Sequence, residues 1–179
     1  PSHFGQMECL KLIASPNFPE KRLGSLALML LLDEKTEVLQ LVTSSLKNDL
    51  QHSNQFIAGL SLTSVGNLAT ADMGRMLAPD IDRHLKSGNP YLRKKASLSA
   101  IRIFMKVPDL IEDFIDRVSS LIKDRSHGVL VSGIQLIIEV IRIDRQWADS
   151  GSGRGQHCYS QQQHENGRKP RIDSSAAAR

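Results

Sequence analysis

The sequence predicts an all-α protein: an α-solenoid of stacked antiparallel helix pairs, HEAT-like or armadillo-like, with a disordered C-terminal tail. Three observations predict it. Apolar residues recur at helical period in run after run. The breaks between runs recur at a nearly constant spacing. Aromatic residues are only 4% of the 179 residues, whereas sandwiches and barrels lean on aromatic and β-branched side chains.

The elements follow in order. Phe4 to Ala14 carries Phe4, Met7, Leu10, Leu12 and Ile13 at close to helical period. Pro16 and Pro19 interrupt, and Pro19 suits a first helical turn with Glu20 at the positive helix end. Lys21 to Leu32 is apolar nearly all round, which reads as a helix buried between neighbours. Asp33-Glu34-Lys35 breaks it, and Thr36 is placed to cap a helix through Val38, Leu41, Leu46 and Leu50. Phe56 to Leu68 and Met73 to Leu85 form the next pair, and the interior Pro79 is expected to kink or split the second helix. Ser87-Gly88-Asn89-Pro90 breaks the chain before a helix from Tyr91 to Val107. Pro108 opens another that reaches Ile122, and Val129 to Ile143 is the last clear one.

The breaks define a repeat. Units begin near Pro19, Asn54, Asn89 and His127, at spacings of 35, 35 and 38 residues. Each first helix is apolar and rich in small residues. Gly24, Gly59, Gly66, Ala96, Ala100 and Gly133 let neighbouring helices approach closely. One such pair cannot bury its own apolar face, so stacking on the next pair buries it. No Trp-Leu-Gly and Tyr arrangement of the TPR kind is present, which favours HEAT-like repeats. The last unit has only its first helix, so an apolar face is expected to stay open there.

At Asp144 the character of the sequence changes. Residues 1–144 form the helical array; residues 145–179, with their glycines and the Gln161–Gln163 run, have no apolar period and read as disordered. Residues 1–144 hold 17 Lys and Arg against 16 Asp and Glu, and residues 145–179 hold 6 against 3. The net charge of +4 therefore belongs mostly to the tail. A nucleic-acid partner would need a basic face on the folded part, and none is expected. The longest apolar run, near Leu26 to Leu32, is far short of a membrane span. No secretory leader is read at the start, and Cys9 and Cys158 are expected to stay reduced.

Chemistry is sparse. No Gly-rich phosphate loop follows a strand, and no Ser or Cys sits in a nucleophile motif. His157, Cys158 and His164 fall in the polar tail, where a zinc site is not expected. The histidines of the body are read at helix ends or on polar faces. No catalytic residue, metal site or cofactor is expected, and the chain reads as non-catalytic. The compact basic cluster Arg93-Lys94-Lys95 could meet an anionic partner such as a lipid headgroup. Its plainer reading is a solvated helix face with packed stems.

The residues also resemble a family. FGQMECLKLIASPNFPEKRLGSLALMLLLDE, LKNDLQHSNQFIAGLSL, LKSGNPYLRKKASLSAIRIFMKVPDL and DRSHGVLVSGIQLI are similar, in order, to the trunk of gamma-adaptins, large subunits of clathrin adaptors. The resemblance covers about residues 2–144. It implies a HEAT-like scaffold of a heterotetrameric adaptor complex in vesicle-mediated transport between trans-Golgi network and endosomes. The implied partners are a sigma small subunit, beta-adaptin, a mu subunit and an Arf-type GTPase. The implied location is cytoplasmic, peripheral on Golgi and clathrin-coated vesicle membranes. By the same resemblance Met7, Leu10 and Leu41 correspond to an apolar GTPase-binding patch. The residues alone leave each of these three as either contact surface or solenoid core. The alternatives carried are another α-solenoid transport scaffold, such as a different coat subunit or a karyopherin-like carrier, and a lipid-binding module using Arg93, Lys94 and Lys95.

Overall fold

A computed structural model describes residues 5–31 and 38–149. The helices are α1 (Gln6–Ala14), α2 (Phe18–Leu31), α3 (Val38–Leu50), α4 (Gln55–Leu68), α5 (Ala71–Leu85), α6 (Pro90–Lys106), α7 (Ile111–Leu121) and α8 (His127–Asp149). A 3-10 turn, Pro108–Leu110, precedes α7, and no strand occurs among the described residues. The chain divides into two compact units, residues 1–141 and 142–179. In the second, the described residues are the end of α8. The expected cap at Thr36, the break at Asp33-Glu34-Lys35 and all of the tail after Asp149 lie outside the described residues.

The first unit is a two-layer helix array. α2, α4 and α6 pack side by side in one layer; α1, α3, α5 and α7 pack in the other. Across the layers α1 meets α2, α3 meets α4 and α5 meets α6. The core lies between them and contains Ile13, Leu28, Val42, Leu46, Leu62, Val65, Leu77, Ile81, Ile103 and Phe104. This is the expected solenoid.

The repeat is visible as bonds between residues about one period apart. Asn54 and Asn89 cap α4 and α6 identically, each side chain accepting from the amide two residues on at 2.9 Å. The Asn89 amide also donates to Gln55. The rings of Phe56 and Tyr91, 35 positions apart, lie 6.1 Å between centroids. Arg117 Nε donates to Asp82 at 2.9 Å, and Ser97 Oγ to the Ser132 carbonyl at 3.0 Å. Ser99 Oγ reaches the Leu62 carbonyl at 2.6 Å. Serine is small enough to let two helices touch while its hydroxyl stays bonded in an apolar seam.

Glycine makes the closest approaches. A β-carbon on Gly24 would lie 2.8 Å from the Ile13 nitrogen, and one on Gly133 would lie 2.9 Å from the Leu121 β-carbon. At Gly59 the Tyr91 ring fills the space instead.

Four expectations need correction. α2 is not buried all round: Lys21, Gly24, Ser25 and Leu28 face inward, while Leu23, Leu26, Leu30 and Leu31 are exposed. The inward stripe has helical spacing, and small residues there let α1 come close. α5 is not split at Pro79; the helix is continuous through it. Pro79 and Arg75 both lie on the solvent side, so water can satisfy the Arg75 carbonyl that proline leaves without its donor. Pro108 starts a 3-10 turn rather than α7 itself. α8 continues past Ile143 to Asp149, since residues 145–149 contain neither Gly nor Pro to stop it.

Candidate functional site

The candidate patch lies on α1 and α3, neighbours in one layer. α1 starts at Gly5, whose φ of 84° is left-handed backbone that glycine tolerates. The helix buries Gln6, Cys9 and Ile13. That stripe turns Met7, Glu8 and Lys11 outward, and Glu8 pairs with Lys11 at 2.7 Å. α3 buries Leu39, Val42, Thr43, Leu46 and Leu50, which leaves Gln40, Leu41 and Ser44 outside. Met7 is 57% exposed and Leu41 59%; Leu10 is half-buried. The resemblance-based trio therefore sits on adjacent helices. Met7 and Leu41 are surface residues, and Leu10 bridges surface and core. The other outward residues near them on these helices, Glu8, Lys11, Gln40 and Ser44, are polar.

The basic cluster is only partly free. Arg93 is clamped: its guanidinium donates to the Ser87 carbonyl at 2.7 Å and pairs with Asp124 at 2.8 Å. The Lys95 ammonium donates to Thr63 Oγ1 at 3.0 Å, back toward α4. Lys94 alone of the three is exposed. Arg93 ties α6 to the turn before α8, so an anionic partner would meet chiefly Lys94 and Lys95.

Residues that the sequence reading missed are structural. Lys21 and Asp49 form an ion pair at 2.7 Å with side chains 9% and 14% exposed, and Lys21 also donates to the Ile13 carbonyl at 2.7 Å. The signal was available: Lys21 stands three and four places before Gly24 and Ser25, on the inward stripe. His84 lies at a helix end, as expected, but it is buried. Its Nε2 donates to the Leu50 carbonyl at 2.8 Å. α5 carries its own polar groups inward there to satisfy the end of α3: Arg83 also donates to Leu50, and Gln51 donates to Asp80 at 3.3 Å. No group of His, Cys, Asp and Glu able to hold a metal exists among the described residues. Cys9 is buried, and His157, Cys158 and His164 lie outside the described residues.

Three groups have shifted titrations. Burial pushes His84 below the usual histidine value; the Leu50 carbonyl and Asp80 oppose that, and Arg83 adds to it. Asp82 lies low although burial opposes it, because Lys86 and Arg117 both bond its carboxylate. Ser15 and then Asn17 hold Glu20 below its usual value in the α1–α2 turn. The His84 shift has a direct consequence. A histidine with a lowered folded value binds its proton more readily when unfolded, so its contribution is full above pH 6.5. It is lost as pH falls through the lower folded value. The Asp82 contribution is lost only below pH 3.8. Urea midpoints should therefore fall between pH 7.5 and pH 5, and His84→Gln should flatten that fall.

The profile of the Adaptin N terminal region family matches residues 1–151. The AP-1 complex subunit gamma-2 of Arabidopsis thaliana is 58% identical over 146 residues, 82% of this chain and 17% of that protein. The AP-1 complex subunit gamma-1 of Mycosarcoma maydis is 53% identical, covering 80% of this chain and 16% of that protein. The human AP-1 complex subunit gamma-like 2 is 46% identical over 78% of this chain and 18% of its own length. This chain thus spans less than a fifth of the length of these relatives. Among solved structures, a chain of a homology model of the full-length AP-3 complex, in an intermediate open conformation, superposes with a TM-score of 0.72. It is 26% identical and covers 79% of this chain and 25% of that chain.

Proposed function

Since this chain belongs to the adaptin family, in the N-terminal region of its gamma-type large subunits, we propose that it serves as a non-catalytic trunk segment of a clathrin-associated adaptor complex. Its role is vesicle-mediated protein transport between trans-Golgi network and endosomes. Family membership removes the karyopherin-like alternative. The proposed array covers residues 1–144, where the composition is that of a helical repeat, and its last helix runs on to Asp149. The proposed partners are the sigma small subunit, beta-adaptin and mu subunit of the complex, and a GTP-loaded Arf-type GTPase. Association with Golgi and coated-vesicle membranes is peripheral and runs through the complex. Among the described residues no helix is long and apolar enough to cross a membrane.

The observation that supports the GTPase contact is the exposure of Met7 and Leu41 on adjacent helices, with Leu10 beside them. An adaptable Met and a Leu held outward by a rigid array suit an apolar docking patch. Met7→Asp or Leu41→Asp should weaken binding to GTP-loaded Arf about tenfold or more, a loss of about 1.4 kcal/mol or greater. The melting temperature should stay unchanged, since neither side chain is core. Calorimetric titration with GTP-loaded and GDP-loaded Arf reads this. Equal binding by wild type and both variants, or no binding by wild type, would reject the patch.

A further inference from the structure

α3 and α5 share one register. The buried Leu39, Val42, Leu46 and Leu50 of α3 correspond, 35 places on, to the buried Gly74, Leu77, Ile81 and Leu85 of α5. Leu41 and Met76 are 35 places apart as well, so they leave the same side of two helices that pack together. Leu41 is 59% exposed and Met76 54%. Among the described residues, Met7, Leu41 and Met76 are the only exposed large apolar side chains of α1, α3 and α5, one on each helix.

α7 does not continue the row. Its buried Phe114 and Val118 correspond to Leu77 and Ile81, and its exposed Ile115 follows Phe114 where Met76 precedes Leu77. One residue turns a helix by about 100°, so Ile115 and Met76 stand on opposite flanks of the buried stripe. Glu112 and Asp116, both exposed, flank Ile115.

Met76 has a polar companion. Pro79 lies inside α5 and has no N–H to give the Arg75 carbonyl. Arg75, Met76 and Pro79 are all exposed. α5 therefore shows an apolar side chain beside a backbone acceptor that lacks its helical donor.

The scale suits a single partner. Neighbouring helices lie about 10 Å apart, so Met7, Leu41 and Met76 span about 20 Å. A standard interface takes about 800 Å² of each partner, a patch about 30 Å across. One partner seated on Leu41 thus covers the residues on both sides of it.

We propose that the docking patch of α1 and α3 continues onto α5, where Met76 is a further apolar contact for the same GTP-loaded GTPase and the Arg75 carbonyl accepts a hydrogen bond from it. The extension rests on the proposed role of Met7, Leu10 and Leu41. It adds the chemistry of the partner's surface there: an apolar side chain next to an N–H or O–H donor.

Calorimetric titration of the full chain with GTP-loaded Arf tests this. Met76→Asp should weaken binding about tenfold, and Met76→Leu should bind as the wild type does. Pro79→Ala restores the donor to the Arg75 carbonyl. It should raise the melting temperature and yet weaken binding about threefold. Ile115→Asp should leave binding unchanged. Each variant should keep wild-type helical circular dichroism, and Met76→Gln repeats the test if Met76→Asp does not. Wild-type binding by Met76→Asp, with Met7→Asp and Leu41→Asp still weakened, would overturn the extension and leave the patch on α1 and α3. Wild-type binding by Pro79→Ala would overturn the part given to the carbonyl. Equal weakening by Ile115→Asp would overturn the extension too, since binding would then not select this flank. No binding by the wild type would reject the patch and its extension together.

Discussion

Lys21→Ala should destabilise the array by about 3–5 kcal/mol, the cost of leaving one partner of a buried ion pair without its counter-charge. The geometry explains the size. The Lys21 ammonium touches both Asp49 oxygens, at 2.7 and 2.9 Å, and the Ile13 carbonyl at 2.7 Å. One group thus joins α2, α3 and the end of α1. Removing it strands the Asp49 carboxylate, only 14% exposed, and the Ile13 carbonyl together. Asp49→Asn, which keeps the shape, should also cost stability by leaving the lysine charge unmatched. The double change Lys21→Ala/Asp49→Asn should cost less than the sum of the two single changes, because it leaves neither charge unmatched. Urea unfolding of the four proteins measures it as a double-mutant cycle. Additive losses would show that the two groups act independently.

Phe104→Ala should cost about 3–5 kcal/mol, the range for emptying a fully buried aromatic site. Phe104 is 1% exposed on α6 and meets the edge of the Phe114 ring on α7 at 5.3 Å and 70°. The alternative shape Phe104→Leu keeps most of the volume and should cost less. The location matters as much as the size. In a solenoid each pair contacts only its neighbours, so the loss should be local before it is global. Hydrogen exchange in the Phe104→Ala variant should rise first in α7, α6 and α5, with α1 to α3 still protected. Uniform loss of protection would show that the array unfolds as a single cooperative block.

The helix order and repeat were legible because two periods, about 3.6 and about 35 residues, are written in residue type alone. The breaks at Asn54 and at Gly88-Asn89-Pro90 belong to that legible part; that each asparagine caps the helix after it came from the structure. The direction of α2 was not. Its sequence carries leucine on nearly every side, so period cannot say which leucines face inward. The structure turns Lys21, Gly24, Ser25 and Leu28 in because a bulky stripe would hold α1 too far away. The burial of His84 was not legible for a related reason. A histidine near a helix end is usually wet, and only the carbonyl of Leu50, 34 positions earlier, makes a dry one acceptable. The candidate patch was named from resemblance, since Met and Leu look the same in a core as on a docking face. Their exposure depends on which stripe of α1 and α3 the neighbouring helices cover.

By itself the sequence determined that this protein is a helical array of repeated pairs, and its residues carried the likeness to gamma-adaptins. Both follow from local chemistry: helical period, turn residues and caps act within a few positions of the chain. Only the tertiary structure decided which face of each helix is covered. It decided that Arg93 is spent on Asp124, that Lys21 is spent on Asp49, and that Leu23 is exposed while Leu28 is core. The physical reason is that burial is a property of pairs of helices: the same isoleucine is core beside a neighbour and surface without one.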